Sequence, residues 1–439
     1  MKVSYLILFG GFFVGISSVT AQDKTNLKLE EAIQLAWTKS NEVSLANTKV
    51  DTKKQELQSV KNNQYPDLKL TGQYLHLTEP TVKLDFDAGS GAFPVPDQML
   101  VGQASLKVPV YSGMKIQNGI KLQDNLFQAE NAMASKTKED VAMRVINYYA
   151  NLYKAQRTIE LLKENQKSAQ QRVTDFIALE KNGIIPRNDL LKAQLQVSKI
   201  QLSLDEALNN EKIINYYLVT LLKLPTETKL AVNEEDLINF PKNSIPTDEQ
   251  PALQNRKDLE ALQFQEKASQ NSVDMAKANY YPSVAITGGY AALNLNNVIT
   301  LENAMFLGVG ISYDLSGILK NGTEVKIAKS KALEVKDSQE ILKDNIRVQV
   351  QQAITNYDLA MKQSIVLNQA VEQSTENYRI VKDKYENGLS DTNDLLDADV
   401  EQLKSKISET IAKVDVIQKY YELLSTTGQL SQTFNLSKI

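Results

Sequence analysis

One stretch of the chain occurs twice. Tyr65-Pro66-Asp67-Leu68-Lys69-Leu70-Thr71-Gly72-Gln73-Tyr74 returns 216 residues later as Tyr281-Pro282-Ser283-Val284-Ala285-Ile286-Thr287-Gly288-Gly289-Tyr290. Asn182-Gly183 and Asn188-Asp189-Leu190-Leu191 return as Asn387-Gly388 and Asn393-Asp394-Leu395-Leu396, at a spacing of 205. The drop from 216 to 205 matches a long Gly/Pro-containing loop from Glu79 to Gln98 set against a shorter one from Leu295 to Asn303. A repeated unit dictates architecture before any single residue does, because both copies must solve the same burial problem.

Within the first copy, Val141, Val145, Tyr148, Leu152, Ala155, Ile159, Leu162, Gln166, Ala169, Val173 and Phe176 follow one another at alternating steps of four and three. That spacing is a coiled-coil seam. The positions 205 residues on, from Ile346 and Val350 to Tyr378 and Val381, keep the seam in register. After each Asn-Gly the stripe resumes, from Leu190 to Leu221 and from Leu396 to Leu424. Each copy therefore reads as a helical hairpin turning at Asn-Gly. Its first arm, from Lys115 to about Lys181, would be roughly 100 Å long at the α-helical rise, far beyond a globular domain's width.

Two runs of period-two alternation precede each hairpin. They are Leu68, Leu70, Gly72, Tyr74 and Ala104, Leu106, Val108, Val110 in the first copy, then Val284, Ile286, Gly288, Tyr290 and Leu307, Val309, Ile311, Tyr313, Leu315 in the second. The expected division is a signal peptide over 1–21 and two repeats. The first, 22–240, holds a helix, strands at 68–78 and 101–111 and a hairpin at 115–225; the second, 241–439, holds a helix, strands at 283–293 and 305–315 and a hairpin at 320–427. Four strands cannot close a barrel, and an open sheet in lipid leaves edge amides and carbonyls unpaired at several kcal/mol each. Several chains pooling their strands would pair every edge.

The amino terminus supports export. Lys2, an apolar run from Tyr5 to Val14 and the small residues Val19-Thr20-Ala21 form an export signal, with Gln22 the expected first mature residue. Loss of Lys2 leaves 48 basic against 53 acidic residues, which argues against nucleic acid as a partner. The chain has no cysteine, so thiol catalysis, thiolate metal sites and a lipid-bearing cysteine after the signal are not expected. With 11 prolines and 18 glycines in 439 residues, breakers are few and long helices run between them. No nucleophile–base pair, phosphate loop or metal cluster stands at a catalytic spacing, so the chain does not read as an enzyme and no cofactor is expected.

Leu29-Glu30-Glu31-Ala32-Ile33 with Leu35-Ala36 and Asn41 resembles the opening helix of TolC-family outer-membrane channels. Tyr65-Pro66-Asp67-Leu68 is similar to that family's entry to its first strand, Val108-Pro109-Val110-Tyr111-Ser112-Gly113 to its strand-ending segment, and Asn255-Arg256-Lys257-Asp258-Leu259 to the start of its second repeat. The resemblance covers nearly the whole mature chain. It implies an α+β membrane protein: a homotrimer whose four strands per chain build a twelve-stranded β-barrel, continued by an antiparallel α-helical coiled-coil barrel through the periplasm of a Gram-negative-type cell. It further implies a passive exit duct of a tripartite efflux or type I secretion system, set in outer-membrane lipid, working with a periplasmic adaptor and an inner-membrane transporter. Drugs, metals and proteins are all cargoes of such ducts.

The same resemblance assigns the tips. Asn182, Gly183, Ile184 and Asn387, Gly388, Leu389 fall where the family's hairpin turns contact the adaptor. Asp394 and Asp397 match the aspartates ringing the closed aperture, Asp189 matches the acidic residue of the other hairpin, and Tyr385 matches a tyrosine reaching toward it. Ser390 departs from the pattern by standing where a basic residue locks the aperture.

Simpler roles stand beside these. Asp189 and Asp394 are helix N-terminal acids, favoured by the dipole, and Gly183 and Gly388 are turn residues. His76 reads as a barrel-rim residue, Asp85-Phe86-Asp87-Ala88-Gly89 as an external loop and Trp37 as a packing residue. The tyrosine pairs 148/149, 216/217 and 420/421 read as seam filler. The alternative for the whole chain, an exported coiled-coil adaptor-like or adhesin-like protein without a pore, explains the seams but not the four alternating strands.

Overall fold

In the computed structural model the described residues are 25–78, 96–233, 235 and 246–434. The expected signal peptide and the Asp85–Gly89 loop lie outside them. In chain order the elements are β1 (Thr25–Leu27), α1 (Leu29–Lys39), α2 (Asn41–Asn62), β2 (Asp67–His76), β3 (Gln98–Tyr111), α3 (Lys115–Lys181), α4 (Arg187–Leu221), β4 (Leu230–Val232), α5 (Gln250–Asn255) and α6 (Lys257–Ala278). There follow β5 (Ser283–Leu295), β6 (Ile299–Ser312), α7 (Leu315–Glu386), α8 (Thr392–Thr426) and α9 (Leu430–Thr433).

These residues divide into two compact units, each drawing on both sequence repeats. One comprises residues 25–36, 144–235 and 362–418; the other comprises 37–143, 246–361 and 419–434. Duplicated sequence and compact unit are thus different partitions of the chain.

In the first unit the seam does what its spacing requires. Ile159, Leu162 and Ala169 of α3 pack against Ile200 and Leu204 of α4, with Leu403 and Ile407 of α8 closing over them. Nearer the turn, Phe176 meets Leu190 and Ala193. A two-stranded parallel ribbon pairs β1 with β4, and the Tyr149 hydroxyl pins it by donating to the Leu27 carbonyl at 2.8 Å. Of the tyrosine pair 148/149 it is Tyr149, one place off the seam, that is wholly buried, while Tyr148 is partly buried and Tyr216 and Tyr217 are exposed. Tyr217 instead stacks on Tyr148 with ring centroids 5.7 Å apart.

In the second unit, Ala252 and Leu259 pack on Ile346 and Val350 of α7. Arg256, between α5 and α6, grips both carboxylate oxygens of Asp258 at 2.6 and 3.0 Å and reaches Gln349 of α7 at 2.6 Å. Arg256 and Asp258 of the family-like stretch therefore act as a clamp between helices. Trp37 packs as expected, its indole N–H donating to the Lys138 carbonyl at 2.8 Å.

The sheet of this unit is antiparallel throughout, in the order β2-β3-β5-β6. Its last hairpin is longer than the alternation suggests. Leu295 pairs with Ile299 around a turn in which Asn297 has φ 62°, so most of the expected 295–303 loop is strand. At the other end β6 stops at Ser312, because the Asp314 carboxylate accepts the Gly317 N–H at 3.1 Å and starts α7 there. The expected strand at 305–315 therefore runs into a helix, and the expected hairpin start at 320 lies inside it.

Candidate functional site

Register places one set of side chains on one face of the sheet. Leu68 lies across from Leu106, Leu70 from Ala104 and Tyr74 from Leu100; Val108 lies across from Ile286 and Tyr290 from Met305; Gly288 faces Leu307 and Ile286 faces Val309. This face is apolar from edge to edge, and it is open: Leu70 is 85% exposed and Leu307 81%. The opposite face carries Lys69, Thr71 and Gln73 on β2 and Gln103, Ser105 and Lys107 on β3. An apolar face against a polar one, with β2 and β6 as outer strands among the described residues, is the pattern of a sheet that meets lipid on one side and water on the other. Among the described residues no helix is long and apolar enough to cross a membrane.

The two hairpin turns repeat each other bond for bond. Gly183 and Gly388 both have φ +72°, and a Cβ added to either would meet nothing within 4 Å, so backbone conformation alone requires glycine. The N–H of Ile184 donates to Leu179 O at 2.9 Å and that of Leu389 to Lys384 O at 2.8 Å. The Asn182 and Asn387 amides donate to Ala178 O and Asp383 O at 2.8 and 2.7 Å. These are Schellman-type helix ends. The residue after each glycine commonly folds back on its helix in this motif, but here Ile184 is 68% exposed and Leu389 77%.

The acidic residues at the turns do different jobs. Asp189, in the first turn of α4, accepts the Thr392 hydroxyl at 2.7 Å and lies 3.7 Å from Lys192, whose ammonium reaches Asn393 at 2.8 Å. Thr392 and Asn393 open α8, so two contacts tie one hairpin to the other. Asp394 accepts the Ser390 hydroxyl at 2.8 Å. The cap of α8 is Asp391, which accepts the Asp394 N–H at 3.0 Å. Asp397 is exposed, and its side chain makes no hydrogen bond or ion pair with another described residue. The Tyr385 ring stacks on Phe176, with centroids 5.9 Å apart, and Thr392 rather than Tyr385 holds Asp189.

Sequence reasoning missed the most buried charges of this unit. Arg172 of α3 donates to Asp399 of α8 at 3.0 Å and to the Tyr378 hydroxyl of α7 at 3.1 Å, and Asn165 donates to the other Asp399 oxygen at 3.2 Å. Burial opposes the charge on Arg172, but its bonds to Asp399 and Tyr378 outweigh it and the guanidinium pKa is raised. The carbonyl oxygen of Asn165 is buried without a partner. A signal was present: arginine occupies only seven of the 49 basic positions, and Arg172 sits beside a seam residue where a fork of donors has a use that lysine cannot match.

The model of a family described as outer membrane efflux protein matches residues 32–222 and 250–429. No curated protein matches the chain significantly in sequence. Among solved structures, CusC shares 15% identity at a TM-score of 0.80, covering 91% of this chain and 92% of its own. The Campylobacter jejuni outer membrane channel CmeC shares 16% at 0.77, covering 92% and 86%. The open state of the Neisseria gonorrhoeae outer membrane channel MtrE shares 16% at 0.77, covering 92% and 89%. At these identities the likeness is one of fold.

Proposed function

The chain belongs to the outer membrane efflux protein family, which makes it the outer-membrane channel of an efflux system, and on that premise we propose how it is assembled and worked. Three copies pool their four strands into one closed twelve-stranded barrel, with the apolar face toward lipid and the polar face lining a lumen. The helical hairpins extend this lumen into the periplasm as a passive duct. The observation that carries the assembly is the sheet itself: its apolar face is exposed from β2 to β6 and both outer strands have a free edge. In hydrocarbon each unpaired backbone group costs several kcal/mol, so closure by further copies is the only economical arrangement.

At the other end, the turns at Asn182-Gly183-Ile184 and Asn387-Gly388-Leu389 receive a periplasmic adaptor coupled to an inner-membrane transporter. Two solvent-exposed aliphatic side chains on rigid turns support that role. Asp189, Asp394 and Asp397 line the aperture, and three-fold repetition would set nine carboxylates around one axis. The resting contact between the hairpins runs through Thr392 and Asp189, while Ser390 bonds to Asp394 within its own hairpin.

Detergent-solubilised outer membrane tests the assembly directly. An unheated sample is expected to migrate on a gel as an oligomer that collapses to monomer on boiling, with the monomer band absent before heating. Recovery of the full chain as a soluble periplasmic monomer would refute it.

A further inference from the structure

We propose that the helix-side end of the sheet carries a collar that binds anionic phospholipid headgroups; this rests on the reading of the sheet as part of a membrane barrel. Asp67 lies across from Lys107 and Ser283 across from Ser312, so the starts of β2 and β5 and the ends of β3 and β6 share one end of the sheet. Each of the four strand ends carries an exposed tyrosine: Tyr65 and Tyr281 just ahead of β2 and β5, Tyr111 and Tyr313 at the close of β3 and β6. A phenol has an apolar body and a polar tip, which suits the level of the headgroups.

One lysine stands just beyond, on each of the four helices that adjoin this end. Lys61 and Lys277 lie in the last turns of α2 and α6, where the helix dipole favours a cation, and Lys277 pairs with Asp274 at 2.9 Å. Helix stability is reason enough for both. Lys115 and Lys320 are different. Lys115 is the first residue of α3, where the dipole repels a cation, Lys320 lies in the second turn of α7, and neither helix has an acid in its first turn. Lys115 reaches only the neutral Asn279 amide, at 3.0 Å. Near Lys320 the Asp314 carboxylate accepts from Ser316 and Gly317 and attracts Lys320 at longer range without an ion pair. Both lysines are exposed, and neither forms an ion pair with a described residue.

Two exposed ammonium groups with no ion pair to a described residue are matched by an anion from outside the chain. The phosphates of a lipid leaflet at the tyrosine level supply that anion to every copy around the barrel. The collar lies at the helix-side end of the sheet and so meets the leaflet on that side.

The test uses the full-chain oligomer in nanodiscs of phosphatidylcholine mixed with phosphatidylglycerol, with retained lipid counted by native mass spectrometry. Enrichment of phosphatidylglycerol by about fivefold per engaged lysine is expected at low ionic strength. It should fall in high salt, disappear in K115Q/K320Q and persist in K115R/K320R. If the double variant fails to assemble, the single variants K115Q and K320Q replace it. Retention of both lipids in their bulk ratio by the wild type overturns the proposal, as does an enrichment indifferent to salt and to the glutamines. Loss of the heat-labile oligomer in the wild type would instead refute the barrel reading.

Discussion

Arg172 and Asp399 meet at 3.0 Å with side chains only 10% and 3% exposed, joining α3 to α8 inside the helical bundle. Removing one partner of such a pair leaves the other charged and dry, at a cost of about 3 to 5 kcal/mol. D399N should therefore lower the temperature at which the helical signal is lost, measured by circular dichroism on the purified oligomer. R172M combined with D399L, which removes both charges and keeps the volume, should recover most of the loss. Equal damage in the single and double variants would mean that the site acts through shape rather than charge.

This pair also marks where the sequence stopped being legible. The seams, the four strands and both Asn-Gly turns could be read because each is a periodic or local pattern, and Ala155, Ile159 and Leu162 are buried where the spacing puts them. Arg172 and Asp399 lie 227 residues apart with no local pattern to join them, and a charge beside a seam reads as solvated unless its partner is known. Thr392 was missed for the same reason: its contact with Asp189 spans 203 residues. The start of α7 was obscured differently, since Leu315 continues the alternation of β6 and only the capping geometry of Asp314 breaks it.

Thr392→Val keeps the shape of a buried side chain and deletes the hydroxyl that Asp189 accepts at 2.7 Å. A hydrogen bond to a charged group is worth about 1.5 to 3 kcal/mol. Loss of this tie should raise the open fraction of the channel, read as higher resting conductance in planar bilayers. Conductance equal to wild type would show that the Lys192–Asn393 contact suffices to hold the hairpins.

Asp394→Ala with Asp397→Ala should lower cation preference and weaken block by multivalent cations. Asp397 is exposed and has no partner among the described residues, so its charge is not spent inside the chain. The reversal potential in a salt gradient reads the preference. Selectivity equal to wild type would reduce both aspartates to helix-end acids.

Glu139 in α3 is buried, and its pKa is raised above 4.5 by that burial, against the opposing bond from Ser431 and the charge of Lys136. A raised carboxyl pKa means the folded state holds its proton longer than the unfolded chain does. The stability this group contributes is present below pH 4.5 and is lost as pH rises through the folded-state value. Glu139→Gln should therefore stabilise the protein at neutral pH relative to wild type and narrow the difference near pH 4. Thermal unfolding across that range measures it, and a destabilised glutamine variant at neutral pH would show that the ionised form is the one the fold uses.

Gly183 and Gly388 sit at φ +72° in open space, so any side chain costs conformational energy there, about 1 to 2 kcal/mol each, without a clash. That penalty is too small to unfold bundles whose seams bury dozens of side chains, but it acts where Ile184 and Leu389 are presented. G183V and G388V should therefore tilt these two aliphatic tips, and export should fall while the heat-labile oligomer persists. I184E with L389E should give the same loss with the turns intact, since it replaces apolar contact with charge and leaves the backbone alone. Comparing the two pairs by gel and by cargo accumulation separates the causes: loss of the oligomer in the valine pair assigns the glycines to folding, and full export in the glutamate pair removes the tips from docking.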